Sequence, residues 1–421
     1  MTGWNIVFYD KEMDRIMKPY ERMLKYIKIK TPSNEACEAT PSSKVQFDLA
    51  KVLYEDLKEL GIEDVKLTDN CFVYAKVPAT QGLEDKMKIG FIAHMDTVSD
   101  FTEAEIKPVI TENYDGKDFK LGDSGRVLKV KDFPHLPSLK GRTLITSDGN
   151  TILGVDDKAG VAEIITMLER LKNENIPHGP LRIAFTPDEE IGTGANSFDV
   201  EYFDADYAYT LDGDTEGEIQ YQNFNACEAI FEVNGVNVHP GSAKDVMINA
   251  VLVVSEINNM LPACETPRHT SEYEGFYHLL SINGNESYAK SEYIIRDHDE
   301  YSFNARKATL RHIEKIMNEK WGEGTVKLTI NEEYKNMECV VEKCMFLIEN
   351  AKEACKMVGI EPQVCPIRGG TDGCKLSFRG LPCPNIGTGG HGYHGPYEHA
   401  TVEGIELSTQ MAVALVKTFA K

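Results

Sequence analysis

Apolar positions along the first two hundred residues switch between two periodicities. Residues 14–29 and 44–60 repeat apolar side chains at the three- and four-residue spacing of an amphipathic helix, whereas Ile89-Gly90-Phe91-Ile92-Ala93 is a short unbroken apolar run, as a buried strand carries. The switching continues through Thr143–Thr146, a helical repeat of Val161, Ile164, Ile165, Leu168 and Leu171, and apolar strands at 181–186 and 207–211. Strands alternating with helices predict an α/β fold with a mixed, largely parallel sheet.

From about residue 224 the pattern changes. Strands are expected at 227–234, 276–283, 291–297 and 325–333, with helices at 245–260 and 300–320 and a turn at Asn283-Gly284. The order strand-helix-strand-strand-helix-strand is that of a ferredoxin-like α+β unit. A helix at 341–358, a Gly- and Pro-rich stretch at 366–396 and a helix at 402–420 complete the chain. Residues 223–336 are therefore expected to form an inserted domain that interrupts an α/β domain made of 1–222 and 337–421.

Length agrees with that division, since 421 residues exceed the roughly 250–300 at which single cores stop growing. The formal charge of −22, with 45 Lys and Arg against 67 Asp and Glu, excludes nucleic acid and anionic membrane as partners. No apolar run approaches the ~20 residues that span a bilayer. Asp10, Glu12 and Asp14 occupy the stretch where a signal peptide needs apolar residues, so a cytoplasmic location is expected. The ten cysteines lack Cys-x-x-Cys spacing and read as reduced thiols, which leaves any metal chemistry to histidines and carboxylates.

Five stretches set such residues at or beside predicted strand ends, where open α/β sheets form their ligand crevice. In His94-Met95-Asp96, residues two apart in extended chain point the same way, so Asp96 can fix the tautomer of His94; an ordinary hydrogen-bonded histidine reads the same. Asp156-Asp157 opens a helix, where carboxylates also serve as simple caps. Asp188-Glu189-Glu190 crowds three acids together, costly in a crevice without a cation and ordinary in a solvated loop. Asp212-Gly213-Asp214 ends another strand, and the Gly-rich segment from Gly387 to His399 holds His391, His394 and His399, as a ligand loop or an exposed surface loop would. Together these residues describe a mixed site for two divalent cations, with donors suited to zinc, cobalt or manganese.

At these residues the chain resembles the peptidase T family of tripeptide aminopeptidases, a branch of the co-catalytic zinc metallopeptidases with aminoacylase and glutamate carboxypeptidase relatives. His94-Met95-Asp96, Asp156-Asp157-Lys158-Ala159-Gly160 and Asp188-Glu189-Glu190 are the general signatures. Ile176-Pro177-His178-Gly179, Asn237-Val238-His239-Pro240-Gly241, Tyr273-Glu274-Gly275-Phe276-Tyr277-His278-Leu279, Tyr293-Ile294-Ile295-Arg296-Asp297 and Ile367-Arg368-Gly369-Gly370-Thr371-Asp372-Gly373 are similar to the narrower branch. The resemblance starts near Ile16, and the roughly 15 residues before it read as an extension or as an upstream start. It implies a zinc-peptidase-like catalytic domain, helices on both faces of its sheet, an inserted lid or dimerisation domain, and a homodimer formed through that insert.

It further implies two Zn2+ per subunit, with Co2+ or Mn2+ able to substitute. Asp156 would bridge them, His94 and Asp212 would complete one site, and Glu190 and His394 the other. His391 and His399 are the alternative imidazoles. Asp96 would orient His94, Glu189 would be the general base, and the Asp156-Asp157 bond would be cis. The implied chemistry is amide hydrolysis: water between two cations loses its proton near neutral pH, and Glu189 passes that proton to the leaving amine. His239, by itself a turn histidine, would reach the tetrahedral oxyanion. Arg296 and Arg368, by themselves salt-bridged arginines, would hold the carboxylate of short peptides with a free N-terminus. The rival activities are those of a dipeptidase, an N-acyl-amino-acid hydrolase, or a non-catalytic metal-binding relative.

Overall fold

In the computed structural model, which describes residues 17–421, the apolar runs become the centre of an eight-stranded sheet. Ile89–His94 and Leu181–Thr186 are buried at every position, as strands covered on both faces must be. They pair in parallel with each other, and Ile89–His94 pairs in parallel with Tyr207–Gly213, which in turn carries Asn385–Gly387 in parallel. Val73–Val77 and Asp64–Leu67 extend the other edge in antiparallel fashion, so the sheet is mixed. Parallel alignment places the C-terminal ends of 89–94, 181–186 and 207–213 side by side, and those ends lead into His94, Asp188-Glu189-Glu190 and Asp212.

The helix Val155–Asn173 packs on this sheet and on the C-terminal helix Val402–Phe419. It approaches the sheet closely at Gly160, where a Cβ would fall 2.0 Å from the Leu211 carbonyl oxygen. The first helix is shorter than its periodicity suggests, spanning Pro19–Tyr26 with proline at its first position; residues 14–16 of the expected helix lie outside the described residues. A second sheet of two- and three-residue strands has the order Gly390–His391, His399–Thr401, Leu144–Thr146 and Val109–Thr111; the one at 144–146 matches the expected segment 143–146, and the others escape the sequence pattern because strands this short have no periodicity. It closes the loop 392–398 by setting His391 opposite His399.

The chain divides into two compact units: residues up to Ile219 with Phe346–Gln363 and Asn385–Lys421, and Gln220–Met345 with Val364–Pro384. In the second unit, Asn225–Asn234, Phe276–Gly284, Tyr288–Asp297 and Val326–Tyr334 form an antiparallel sheet in which the first strand lies between the third and fourth. Helices Ala250–Asn259 and Glu300–Trp321 pack on it around Phe231, Tyr293, Leu310 and Met317. The helix expected from 245 begins at Ala250 because Asp245 is left-handed (φ 59°) and Asn249 caps the amides of Val251 and Leu252. The hairpin turns beyond Asn283-Gly284, at 285–287, where the Asn285 side chain accepts from Ser287 and Tyr288 amides. The helix expected at 341–358 is broken into Glu338–Val341, a tight turn Glu342–Cys344, and Phe346–Met357.

Candidate metal centre

His94 ends its strand with a nearly fully buried ring. Its Nδ1 lies 3.1 Å from the Asp96 carbonyl oxygen, and a carbonyl can only accept, so Nδ1 carries the proton and Nε2 is turned to the carboxylates. Nε2 meets Asp156 Oδ1 at 2.9 Å and Asp212 Oδ1 at 3.4 Å. The other Asp156 oxygen is 3.2 Å from His394 Nε2, which also lies 3.0 Å from Glu190 Oε2. One carboxylate thus stands between two imidazoles, and each imidazole has a second carboxylate beside it.

The expectation that Asp96 orients His94 acquires a different emphasis. The carbonyl is the nearer partner of Nδ1, while the Asp96 carboxylate lies 3.4 Å away and accepts the Glu189 and Glu190 amides at 3.0 and 3.2 Å. It therefore joins the end of one strand to the acid loop of the next. Asp188 holds that loop from the other side: left-handed (φ 58°) and buried, it accepts from the Ser42 amide, the Ser42 hydroxyl and Gln46 Nε2 at 2.5–2.7 Å. Ser42 and Gln46 carry no sequence signal, because neither is an acid or a histidine and both lie more than 140 residues from Asp188. The three consecutive acids are divided, one inward to a clamp and two toward the crevice.

Asp156 and Asp157 divide in the same way across a cis peptide bond. Asp157 accepts the Gly160 amide and the His94 amide, both at 3.1 Å, so it caps the helix and steadies the histidine. Asp156 faces the imidazoles. The capping reading of this acid pair falls to Asp157, while Asp156 lies with the histidines.

Electrostatics follow from crowding carboxylates in a buried crevice. Burial works against the Asp156 charge, but the bonds to His394 and His94 outweigh it and hold the carboxyl well below its ordinary range. Burial and the neighbouring Asp156 push Glu190 up to about 7. The His394 imidazole is pushed up to about 11 by its bonds to Asp156 and Glu190. Burial raises Asp212 and, just past the end of that strand, lifts Asp214 to about 6. The donor atoms of His94, Asp156 and Glu190 lie within 4.8 Å of one another, as do those of His94, Glu189 and Asp212, so two overlapping groups could each hold a divalent cation.

Of the three loop histidines, His394 alone contacts these carboxylates among the described residues. His391 and His399 turn away to His135: His135 and His399 face each other Nε2 to Nε2 at 2.9 Å, and His391 stacks on His135 at 4.2 Å. Burial pushes His399 down to about 4 and His391 well below the usual imidazole range.

The remaining expected residues belong to the second unit. His239 is exposed and accepts the Gly241 amide at 3.1 Å, closing a turn. Arg296 pairs with Glu333 at 2.8 Å and bonds the Cys227 and Ile295 carbonyls. Arg368 donates to the Glu272 and Glu274 carbonyls at 2.6 and 3.1 Å and to the Thr270 hydroxyl at 3.2 Å, with its guanidinium over the Phe224 ring. Carbonyls orient this cation without neutralising it, whereas Glu333 offsets the charge of Arg296.

Residues 145–418 match peptidase family M20/M25/M40. Peptidase T of Clostridium perfringens is 49% identical over 405 residues, covering 96% of this chain and 99% of that protein. The crystal structure of the aminopeptidase PepT from Bacillus cereus superimposes with a TM-score of 0.76 at 23% identity, over 96% of this chain and 98% of that one. The Bacillus subtilis YXEP protein, described as a dinuclear metal-binding peptidase of the M20 family, does so with a TM-score of 0.61 at 14% identity, over 95% and 98%.

Proposed function

The chain belongs to peptidase family M20/M25/M40, and on that premise we propose that it is a metal-dependent aminopeptidase releasing the N-terminal residue of short peptides, chiefly tripeptides. The observation that carries the reading is the Asp156 carboxylate set between His94 and His394, each with a further carboxylate at hand. Nitrogen and carboxylate donors in this number fit a pair of zinc ions, with cobalt or manganese as substitutes. His94 and Asp212 would hold one, Glu190 and His394 the other, and Asp156 both. When bound, the ions supply acidity to a shared water and polarise the scissile carbonyl.

Glu189 does the proton work in this scheme. Its carboxylate lies within 4.8 Å of the His94 and Asp212 donor atoms, and its backbone is held by Asp96, so it is placed to take a proton from the attacking water and return it to the leaving amine. His239 would donate to the oxyanion. Arg368, whose charge stays available, anchors the peptide carboxylate, with Arg296 beside it in this role. A tripeptide spans only ~10 Å, so holding the terminal carboxylate as well as the scissile bond would select length rather than side chains. The chain is further proposed to act in the cytoplasm as a homodimer. Support for the dimer is that Phe276–Gly284 is an edge strand that leaves Leu280 and Ile282 exposed.

Hydrolysis of one unblocked tripeptide, its N-acetylated form and the corresponding dipeptide, with Glu189→Ala as control, tests the proposal. Turnover of the free tripeptide above the other two, lost in the variant, is expected; preference for the blocked peptide would overturn it.

A further inference from the structure

The loop that carries His394 and the turn that carries Asp156 are separate in sequence, and one side chain ties them together. Glu398, 1% exposed, accepts the amides of Leu153 and Gly154 through Oε2 at 2.7 Å each and the amide of Asp156 through Oε1 at 2.9 Å. Three amides of one four-residue turn converge on a single carboxylate, and the left-handed Gly154 (φ 78°) is the bend that lets them do so. Glu398 stands four residues beyond His394, inside the loop closed by the His391–His399 strand pair. The buried ammonium of Lys158, which donates to the Ile29 carbonyl, feels Glu398 as its strongest favourable charge.

We propose that Glu398 is a positioning residue for the cation centre: it fastens the Asp156 turn to the His394 loop so that both side chains meet the same ion in a geometry set before binding. The proposal rests on the dinuclear reading above and adds to it a residue that touches neither ion nor substrate. Without the clamp, the two donors belong to loops free to drift apart, and the ordering that Glu398 supplies is lost from cation affinity.

The test is zinc affinity of the chelator-stripped full chain, measured by competition with a metal-binding dye, for wild type, Glu398→Gln, Glu398→Asp and the core truncation Leu415→Ala. Glu398→Gln has a single acceptor oxygen, so its NH2 must face either the Asp156 N–H or the Leu153 and Gly154 N–H groups, donor against donor, and affinity should fall ~10–100-fold, the usual cost of losing an outer partner of a metal ligand. Glu398→Asp, which keeps the charge and shortens the reach, should fall less. Leu415→Ala, destabilised at a buried position remote in chemistry, should bind within about twofold of wild type, which separates positioning from general stability. Affinity within twofold of wild type in a cooperatively melting Glu398→Gln would overturn the proposal; should that variant not fold, the same result in Glu398→Asp does so. A wild type that takes up no zinc overturns the dinuclear reading itself and the proposal with it, an outcome distinct from zinc binding that ignores Glu398.

Discussion

Asp156 and Asp157 show how much a single residue's neighbours decide. Adjacent in sequence, they differ in that one carboxylate meets imidazoles and the other meets amides, and nothing in the dipeptide itself distinguishes a cap from a ligand. The pair is visible in the sequence, but the two histidines that set Asp156 apart lie 62 and 238 residues away. Glu189→Gln should lower kcat by ~10²–10⁴-fold while zinc uptake stays intact, checked by steady-state rates beside metal analysis. Glu163 has an unrelated cost: it is fully buried in the helix Val155–Asn173, and neither of its carboxyl oxygens has a hydrogen-bond partner among the described residues. Burial, then Glu216, raises its carboxyl well above the ordinary range. As pH climbs past about 4.3 the unfolded chain loses this proton while the fold keeps it, so stability falls with rising pH until Glu163 ionises in the fold as well. Glu163→Met should therefore stabilise the protein by about 1–3 kcal/mol at pH 8, with the gain shrinking toward pH 4.5, as read from thermal melts at both values.

Elements were legible where burial is two-sided. The strands at 89–94, 181–186 and 207–213 are mostly apolar and parallel, so their ends, with the acids and histidine at or just past them, were visible in the pattern. The short strands at 109–111, 390–391 and 399–401 were not, since pairing across distant segments forms them, and with 144–146 they decide which loop histidine turns inward. Helix-to-strand packing makes a sharp prediction at Gly160. An added Cβ would meet the Leu211 carbonyl at 2.0 Å and the Asp157 carboxylate at 2.5 Å, so Gly160→Ala should push the helix off the strand and unseat the Asp157 cap. A loss of about 3 kcal/mol or more, with weakened zinc binding, is expected in denaturation and metal-competition experiments.

At the scale of the whole molecule, the charge of −22 has a local meaning: part of it is concentrated where Asp156, Glu189, Glu190 and Asp212 converge, a set that two divalent cations would neutralise. No helix among the described residues is long and apolar enough to cross a membrane. The arginines proposed as anchors lie in the second unit, where Arg368 is held by carbonyls and forms no ion pair among the described residues. Arg368→Ala should raise KM for tripeptides by ~10-fold or more and flatten the preference among di-, tri- and tetrapeptides, since a bidentate carboxylate contact contributes at least that factor. Unchanged length selection would remove the anchor from the account. The central claim, metal-dependent removal of an N-terminal residue, is met most directly by following one unblocked tripeptide with the chelator-stripped protein as zinc is titrated back. The account predicts no turnover when stripped and full recovery by two zinc ions per chain, with none in Asp156→Asn; full turnover by the stripped protein would contradict it.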